Sequence, residues 1–302
     1  MRLVIALGGN ALLRRGEPVD AERQRHNALA AVTASIAPLA TRHDIVVTHG
    51  NGPQIGLLAL QAAAYRDARP TPLDLLGAES EGMIGYLIEQ ALASALPERE
   101  IATLLTLTEI DPHDPAFATP SKPIGPLYTE AQARRLSEEC SWAIMRDGDG
   151  WRRAVPSPMP LRMREIGAIR LLLRSGVIVI CAGGGGVPVA VTAEGGLRGI
   201  EAVIDKDYAA ALLAESVDAD RLILLTDVSG VWTRWPPGEG RAIGHATPAQ
   251  LRRYSFAAGS MAPKVEAACR FVERTGRSAA IGAIGDAQAV LEGTAGTTIA
   301  PG

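Results

Sequence analysis

The chain has 302 residues, 47% of them hydrophobic and 21% charged, with 32 Gly and 20 Pro; that length can bury one large core or two modest ones. A net charge of −3 supplies no basic field for nucleic acid and no cationic face for anionic lipid. The apolar runs are too short for a membrane span or a signal peptide, and Cys140, Cys181 and Cys269 stand too far apart for a zinc site or a disulfide framework, which points to reduced thiols in a cytoplasmic protein.

In chain order, the apolar pattern predicts a strand at 3–7 and a helix at 21–42, with Asp20 as its N-cap and Pro38 as a kink or stop. A strand at 45–48 and a helix at 75–96 behind Asp74 follow, then a strand at 101–107 and a helix at 129–140. A helix at 161–174, a strand at 177–181, a helix at 205–217 and a strand at 222–226 continue the alternation. A helix at 261–275 and strands at 279–284 and 297–300 close it. Continuous apolar strands alternating with helices argue for an α/β protein whose mainly parallel sheet is covered on both faces. The chain reads as one domain, 1–302. Its Pro-rich excursion at 111–160 breaks the alternation, holds a hairpin around Asp147-Gly148-Asp149-Gly150, and is expected to be a lid or small subdomain.

Polar or glycine turns follow four of the strands: Gly8-Gly9-Asn10, His49-Gly50-Asn51-Gly52-Pro53, Gly183-Gly184-Gly185-Gly186 and Asp227. In a parallel sheet all four lie at the carboxyl edge, where ligands bind. Their backbone N–H groups can approach an anion, so a phosphate site is expected there. No G-x-x-x-x-G-K-[ST] loop occurs, and the turn at 50–56 does not match a dinucleotide fingerprint.

Of 30 basic residues, 27 are Arg and three are Lys: Lys122, Lys206 and Lys264. A chain that uses Arg wherever it can keeps Lys where a compact point charge is needed. Each lysine sits in a conformationally fixed setting: Lys122 between prolines, Lys206 between Asp205 and Asp207, and Lys264 behind Pro263 at a helix start. Three such charges suit phosphoryl transfer, where catalysis is mainly positioning and electrostatic stabilisation. His49 reads as ordering its glycine turn rather than as a general base. Asp111, His113 and Asp114 read as a solvated loop rather than a metal site. Trp232, Trp235, Pro236 and Pro237 either cover a purine base or form a plain loop with apolar anchors.

These motifs resemble the carbamate kinases of the amino acid kinase superfamily. The matching pieces are ALGGNAL (6–12), THGNGPQIG (48–56), GMIGYLIEQAL (82–92), TPSKPIGPLYT (119–129), RRAVPSP (152–158), GGGGVPV (183–189), IEAVIDKDYAAALLA (200–214), LILLTDV (222–228) and GSMAPKVEAA (259–268). The resemblance implies a three-layer αβα sandwich, a homodimer, and reversible phosphoryl transfer between ATP and carbamate with Mg²⁺ accompanying ATP or ADP. It makes the excursion at 111–160 a protruding subdomain, and it makes Lys122, Lys206 and Lys264 the catalytic and phosphate-binding lysines. Asp205 and Asp207 would organise those lysines and the waters of Mg²⁺, with no direct protein ligand to the metal. Gly8, Gly9, Asn10, Gly50, Asn51, Gly52 and Gly183 to Gly186 would surround phosphate and carbamate. Asp227, Val228 and Met261 would flank the nucleotide. The rivals are a superfamily kinase with another carboxylate or phosphate acceptor, and a non-catalytic nucleotide sensor. Glu79 and Glu81 depart from the family pattern. They read as carboxylates at a helix start, altering acceptor choice or the dimer surface.

Overall fold

The computed structural model describes residues 1–9, 13, 20–65, 71–234, 240–256 and 261–302. Asn10, Trp235, Pro236 and Pro237 therefore lie outside the described residues.

The chain begins with β1 (Arg2–Leu7), α1 (Ala21–Ser35), α2 (Ala37–Ala40), β2 (Asp44–His49), α3 (Gly52–Ala64) and α4 (Leu73–Ala95). Asp20 caps α1 by accepting the Arg23 N–H at 3.0 Å. The helix breaks at Ile36, and Pro38 occupies the first turn of α2, where its missing N–H costs nothing. Asp74 is not the cap of α4; it lies in the first turn, after Pro72.

Next come β3 (Ile101–Thr103), β4 (Leu107–Ile110), β5 (Lys122–Tyr128), α5 (Glu130–Cys140), β6 (Ile144–Asp147), β7 (Gly150–Val155), β8 (Pro160–Met163), α6 (Ile166–Arg174) and β9 (Ile178–Ile180). Two expectations need correcting here. The strand expected at 101–107 is two strands in different sheets, because the chain turns at buried Thr106. The helix expected at 161–174 starts only at Ile166; its first residues instead pair as β8 along β4, with Met163 opposite Thr108. Tertiary pairing overrides local propensity at that point.

The rest is β10 (Val187–Val191), β11 (Leu197–Gly199), α7 (Lys206–Ser216), β12 (Arg221–Thr226), β13 (Val231–Trp232), β14 (Ala242–Ile243), β15 (His245–Ala246), α8 (Pro248–Leu251), α9 (Met261–Thr275), β16 (Ser278–Ala283), α10 (Ala287–Glu292) and β17 (Thr297–Ile299).

The main sheet has eight strands in the order β15-β17-β16-β12-β1-β2-β9-β3, all parallel except the β16–β17 pair. Alternate residues of each strand feed opposite cores, as the pleat requires. Leu3, Ile5 and Leu7 of β1 pack with Val32 of α1, Ile84 and Ile88 of α4 and Val290 of α10. Val4 and Ala6 pack with Ile169 of α6, Leu213 of α7 and Phe271 of α9 on the other face. The result is three layers, α, β and α. Both faces of β1 are fully covered, so truncating Ile5 to Ala costs about 2–5 kcal/mol.

A second sheet, β11-β10-β4-β8, extends from the carboxyl edge of the first. The excursion forms its own antiparallel sheet, β5-β7-β6, joined by a two-residue turn at Gly148 and Asp149. It docks on α3 by direct backbone contact: a Cβ on Gly56 would stand 1.9 Å from the Gly125 Cα. Glycine at both positions permits that approach.

Candidate active site

Because β1, β2, β9 and β12 run parallel, the residues after them meet along one sheet edge. There Asp205 caps α7 by accepting the Asp207 N–H at 2.9 Å. The same cap brings three distant lysines together. Lys122 Nζ, from β5, donates to Asp205 Oδ2 at 2.7 Å. Lys206 Nζ donates to Asp207 Oδ1 at 2.6 Å, and Lys264 Nζ, from the first turn of α9, donates to Asp207 Oδ2 at 2.9 Å. Asp207 and Lys264 are buried and Lys122 is half-buried.

Burial works against every charge in this cluster, and the partners decide the outcome. Burial pushes the Asp205 carboxyl up, but the Lys122 and Lys206 ammonium groups hold it far below the usual carboxylate range. Asp207 is likewise held low against burial by Lys206 and Lys264. Burial brings Lys206 down to about 8, despite Asp207, with the neighbouring Lys264 adding to the fall. Lys264 is also opposed by burial, yet it is raised, chiefly by Asp207. With all groups ionised, three ammoniums face two carboxylates, leaving one positive charge for an anion.

The glycine turns enclose this cluster. Gly8 follows β1 with its N–H on the Leu225 carbonyl at 2.9 Å, and the Gly50 N–H reaches the Leu7 carbonyl at 3.0 Å. Gly9 and the Lys206 stem both pass within about 3 Å of where a Gly50 Cβ would stand. The Asn51 side chain donates to Ser80 Oγ at 2.9 Å, and Gly52 opens α3 with Pro53 in its first turn. Asp227, Val228 and Met261 lie along the same edge: Asp227 is exposed after β12, and Val228 and Met261 are half-buried. Met261 opens α9 one turn before Lys264.

The chain is similar to known proteins over nearly its whole length. The amino acid kinase family matches residues 1–283. A carbamate kinase of Rhizobium meliloti is 54% identical over 99% of this chain and 93% of its own length. A carbamate kinase of Escherichia coli K12 is 49% identical over 98% of each chain. The chain belongs to the carbamate kinases of the amino acid kinase family. The structure of carbamate kinase from Giardia lamblia bound to citric acid superposes with a TM-score of 0.93 at 37% identity, covering 100% of this chain and 98% of that one. UMP kinase from Bacillus anthracis, at 15% identity and a TM-score of 0.54, shares the fold alone.

Not every glycine amide is open to a ligand. In the 183–186 loop the Gly183 N–H is held by Glu81 Oε1 at 2.9 Å. The Gly185 and Gly186 N–H groups close 3.0 Å turns onto Ala182 and Gly183. Those three amides build the loop, and the Gly184 N–H is the one without a hydrogen bond among the described residues. A Cβ on Gly184 would stand 2.1 Å from the Asn51 amide, so the two turns touch there.

The sequence reading missed what lies beneath this loop. Glu81 is not at a helix start; it sits mid-way along α4 and is 1% exposed, while Glu79 faces solvent. His49 is fully buried with its Nε2 unpartnered, and its Nδ1 lies 3.3 Å from the Gly50 carbonyl. Burial lowers it to about 4, which suits a neutral ring that orders its turn. Glu81 carried one signal in the sequence: as the ninth residue of α4 it shares the buried stripe of Leu73, Leu76, Gly77, Ser80 and Ile84.

Proposed function

We propose that this chain transfers a phosphoryl group reversibly between ATP and carbamate, making or consuming carbamoyl phosphate. The observation that carries this reading is the convergence of Lys122, Lys206 and Lys264 on Asp205 and Asp207, at the carboxyl edge of the sheet, in a chain 54% identical to a carbamate kinase. Lys206 and Lys264 neutralise the phosphates of the donor, and Lys122 approaches the acceptor from β5. Asp205 and Asp207 hold the three ammoniums in place. The Gly184 and Gly52 amides and the Gly9 turn receive the oxygens of the moving group, a preorganised arrangement worth roughly 3 kcal/mol of barrier per donor. No general base is required, because carbamate is already an anion. Asp227, Val228 and Met261 flank the nucleotide.

Mg²⁺ accompanies the nucleotide in this reading. Such an ion keeps much of its water shell and binds chiefly through phosphate oxygens. Asp205 accepts one hydrogen bond on each carboxylate oxygen, so lone pairs remain for a metal-bound water. When bound, the ion would neutralise charge on the nucleotide phosphates.

No helix among the described residues is long and apolar enough to cross a membrane. We place the protein in the cytoplasm as a homodimer. Support for a second copy comes from the outward stripe of α4, where Leu75, Met83 and Tyr86 are 53%, 38% and 51% exposed.

The test is ATP formation from ADP and carbamoyl phosphate in a coupled assay. Turnover supports the reading. ADP binding without turnover overturns it in favour of a nucleotide sensor.

A further inference from the structure

Beneath the 183–186 loop lies a buried polar network that the phosphoryl-transfer reading does not use. Its centre is Glu81. Oε1 accepts the Gly183 N–H at 2.9 Å, while Oε2 stands 3.4 Å from the Thr106 N–H. Thr106 Oγ1 in turn accepts the Ala182 N–H at 2.9 Å and donates to the Leu104 carbonyl at 3.2 Å. On the carbonyl side, Thr48 donates to Ala182 at 2.8 Å and Thr108 donates to Gly185 at 3.0 Å. Ala182 is held at φ 52°, in the left-handed region that a residue with a Cβ rarely adopts. Side chains from α4, β2, β4 and the turn at Thr106 thus determine the shape of one loop.

The two oxygens of Glu81 are not equivalent. One makes a short bond to a backbone N–H; the other is too distant from the second N–H to be a strong acceptor. That asymmetry suits a carboxylic acid, whose carbonyl oxygen accepts and whose O–H donates. Thr106 Oγ1, which receives the Ala182 N–H and donates to Leu104, keeps a second lone pair free to take such a proton.

We propose that Glu81 is a positioning residue that works as a neutral carboxylic acid: it pins Gly183 and Thr106, leaves the Gly184 N–H to meet the anionic substrate, and keeps negative charge out from under the loop. The surroundings favour the neutral form. Burial raises Glu81 to about 8, and the Glu165 carboxylate adds to the rise against the hydrogen bonds from Gly183 and Thr106. Glu165, the N-cap residue of α6, is fixed by the Leu107 N–H at 2.8 Å. Two further titratable groups beneath the loop are uncharged as well: His49 from β2, lowered by burial, and the Cys181 thiol after β9, pushed well up by burial with Glu81 and Glu165 adding. The charged neighbours are Glu165 and, on the substrate side, the lysine–aspartate cluster of α7 and α9. Above pH 8 the ionised Glu81 repels the substrate anion.

This inference rests on the reading that the loop receives carbamoyl phosphate, and the variants separate the two. In Glu81→Gln the amide carbonyl can accept from Gly183 and the amide N–H can donate to Thr106, the pattern of the protonated acid. At pH 7 Glu81→Gln is expected to keep KM and kcat within about twofold. Its loss of carbamoyl phosphate affinity above pH 8 is expected to diminish, while the alkaline limb for ADP, set by Lys206, stays in place. Glu81→Leu fills the space without hydrogen bonds and is expected to raise KM for carbamoyl phosphate about tenfold, with a smaller effect on ADP. Damage in Glu81→Gln equal to that in Glu81→Leu at pH 7, or unchanged pH profiles, overturns the proposal. Melting curves provide a readout independent of turnover. A carboxyl raised in the folded state contributes stability that is present below pH 4.5 and lost as pH rises toward 8. The wild type is therefore expected to lose melting temperature relative to Glu81→Gln across that window. If the wild type makes no ATP at all, the activity reading falls and the melting curves alone decide: divergence supports the neutral acid, and parallel curves overturn it.

Discussion

Two buried polar clusters share the carboxyl edge of one sheet, and they carry opposite charge states. In the first, Asp205 and Asp207 are ionised against Lys122, Lys206 and Lys264. In the second, His49, Glu81 and Cys181 are all neutral. Burial penalises charge in both. The difference lies in the partner: Asp205 meets one ammonium and Asp207 two, all within 2.9 Å, whereas Glu81 meets two N–H dipoles and the like charge of Glu165. At Glu81 the few neutral donors are outweighed by burial, whereas at Asp205 and Asp207 the opposite charges prevail over it. The division suits the proposed chemistry. The charged cluster faces the polyanion, and the uncharged layer shapes the loop without repelling it.

Breaking the charged cluster has the largest expected effect. Asp207→Asn leaves Lys206 and Lys264 buried without their shared carboxylate, which costs about 3–5 kcal/mol by denaturant unfolding. Turnover should fall with it by more than about 100-fold, since a misplacement of 1 Å alone can cost that much. Unfolding at the wild-type midpoint would show that Asp207 does not hold the lysines.

Lys264→Arg keeps the charge and changes the shape. A planar guanidinium prefers paired hydrogen bonds in its own plane, whereas the Lys264 ammonium meets a single oxygen, Asp207 Oδ2. The expected result is about a 100-fold drop in kcat with little change in melting temperature. Near-normal kcat would remove Lys264 from the reacting centre and weaken the argument from lysine scarcity.

The neutral layer is broken by acid. His49 is lowered to about 4 in the fold from an ordinary value of 6.5, so the unfolded chain binds more protons between those limits. Its contribution is complete above pH 6.5 and is lost as pH falls toward 4, at about 1.4 kcal/mol per pH unit. Relative to the wild type, His49→Gln should lose less stability on acidification, by about 2 kcal/mol at pH 5. Equal acid slopes would mean that His49 is not buried as a neutral ring.

A smaller stability effect than at Asp207 is expected at Lys122, because its removal leaves Asp205 the Lys206 charge and the Asp207 N–H. Lys122→Met should cost about 1–3 kcal/mol of stability while lowering turnover far more than melting temperature. Proportional losses in both would assign Lys122 to the fold rather than to the reaction.

The sequence by itself determined the strand order of chemistry along the chain. Apolar runs marked β1, β2, β9, β12 and β16, and a parallel sheet necessarily gathers the turns behind parallel strands at one edge. Lysine scarcity singled out Lys122, Lys206 and Lys264, because composition exposes a residue that is kept against the trend. Local chemistry also revealed the cap at Asp20, whereas the helix expected to begin at Asp205 proved to be capped by it. Which sheet receives a strand is not a local property. Residues 101–107 divide at Thr106, and residues 160–163 become strand, because the second sheet offers them partners that no nearby residue supplies. The engagement of the Gly183, Gly185 and Gly186 amides within the loop was equally invisible, since a run of four glycines does not say which N–H groups remain open. Glu81 is the sharpest case. Beside exposed Glu79 it reads as surface charge, and only the packing of α4 against the turns at Thr106 and Gly183 removes it from water and makes it neutral. Charge state belongs to the surroundings of a group, and those surroundings are assembled from residues far apart in the chain.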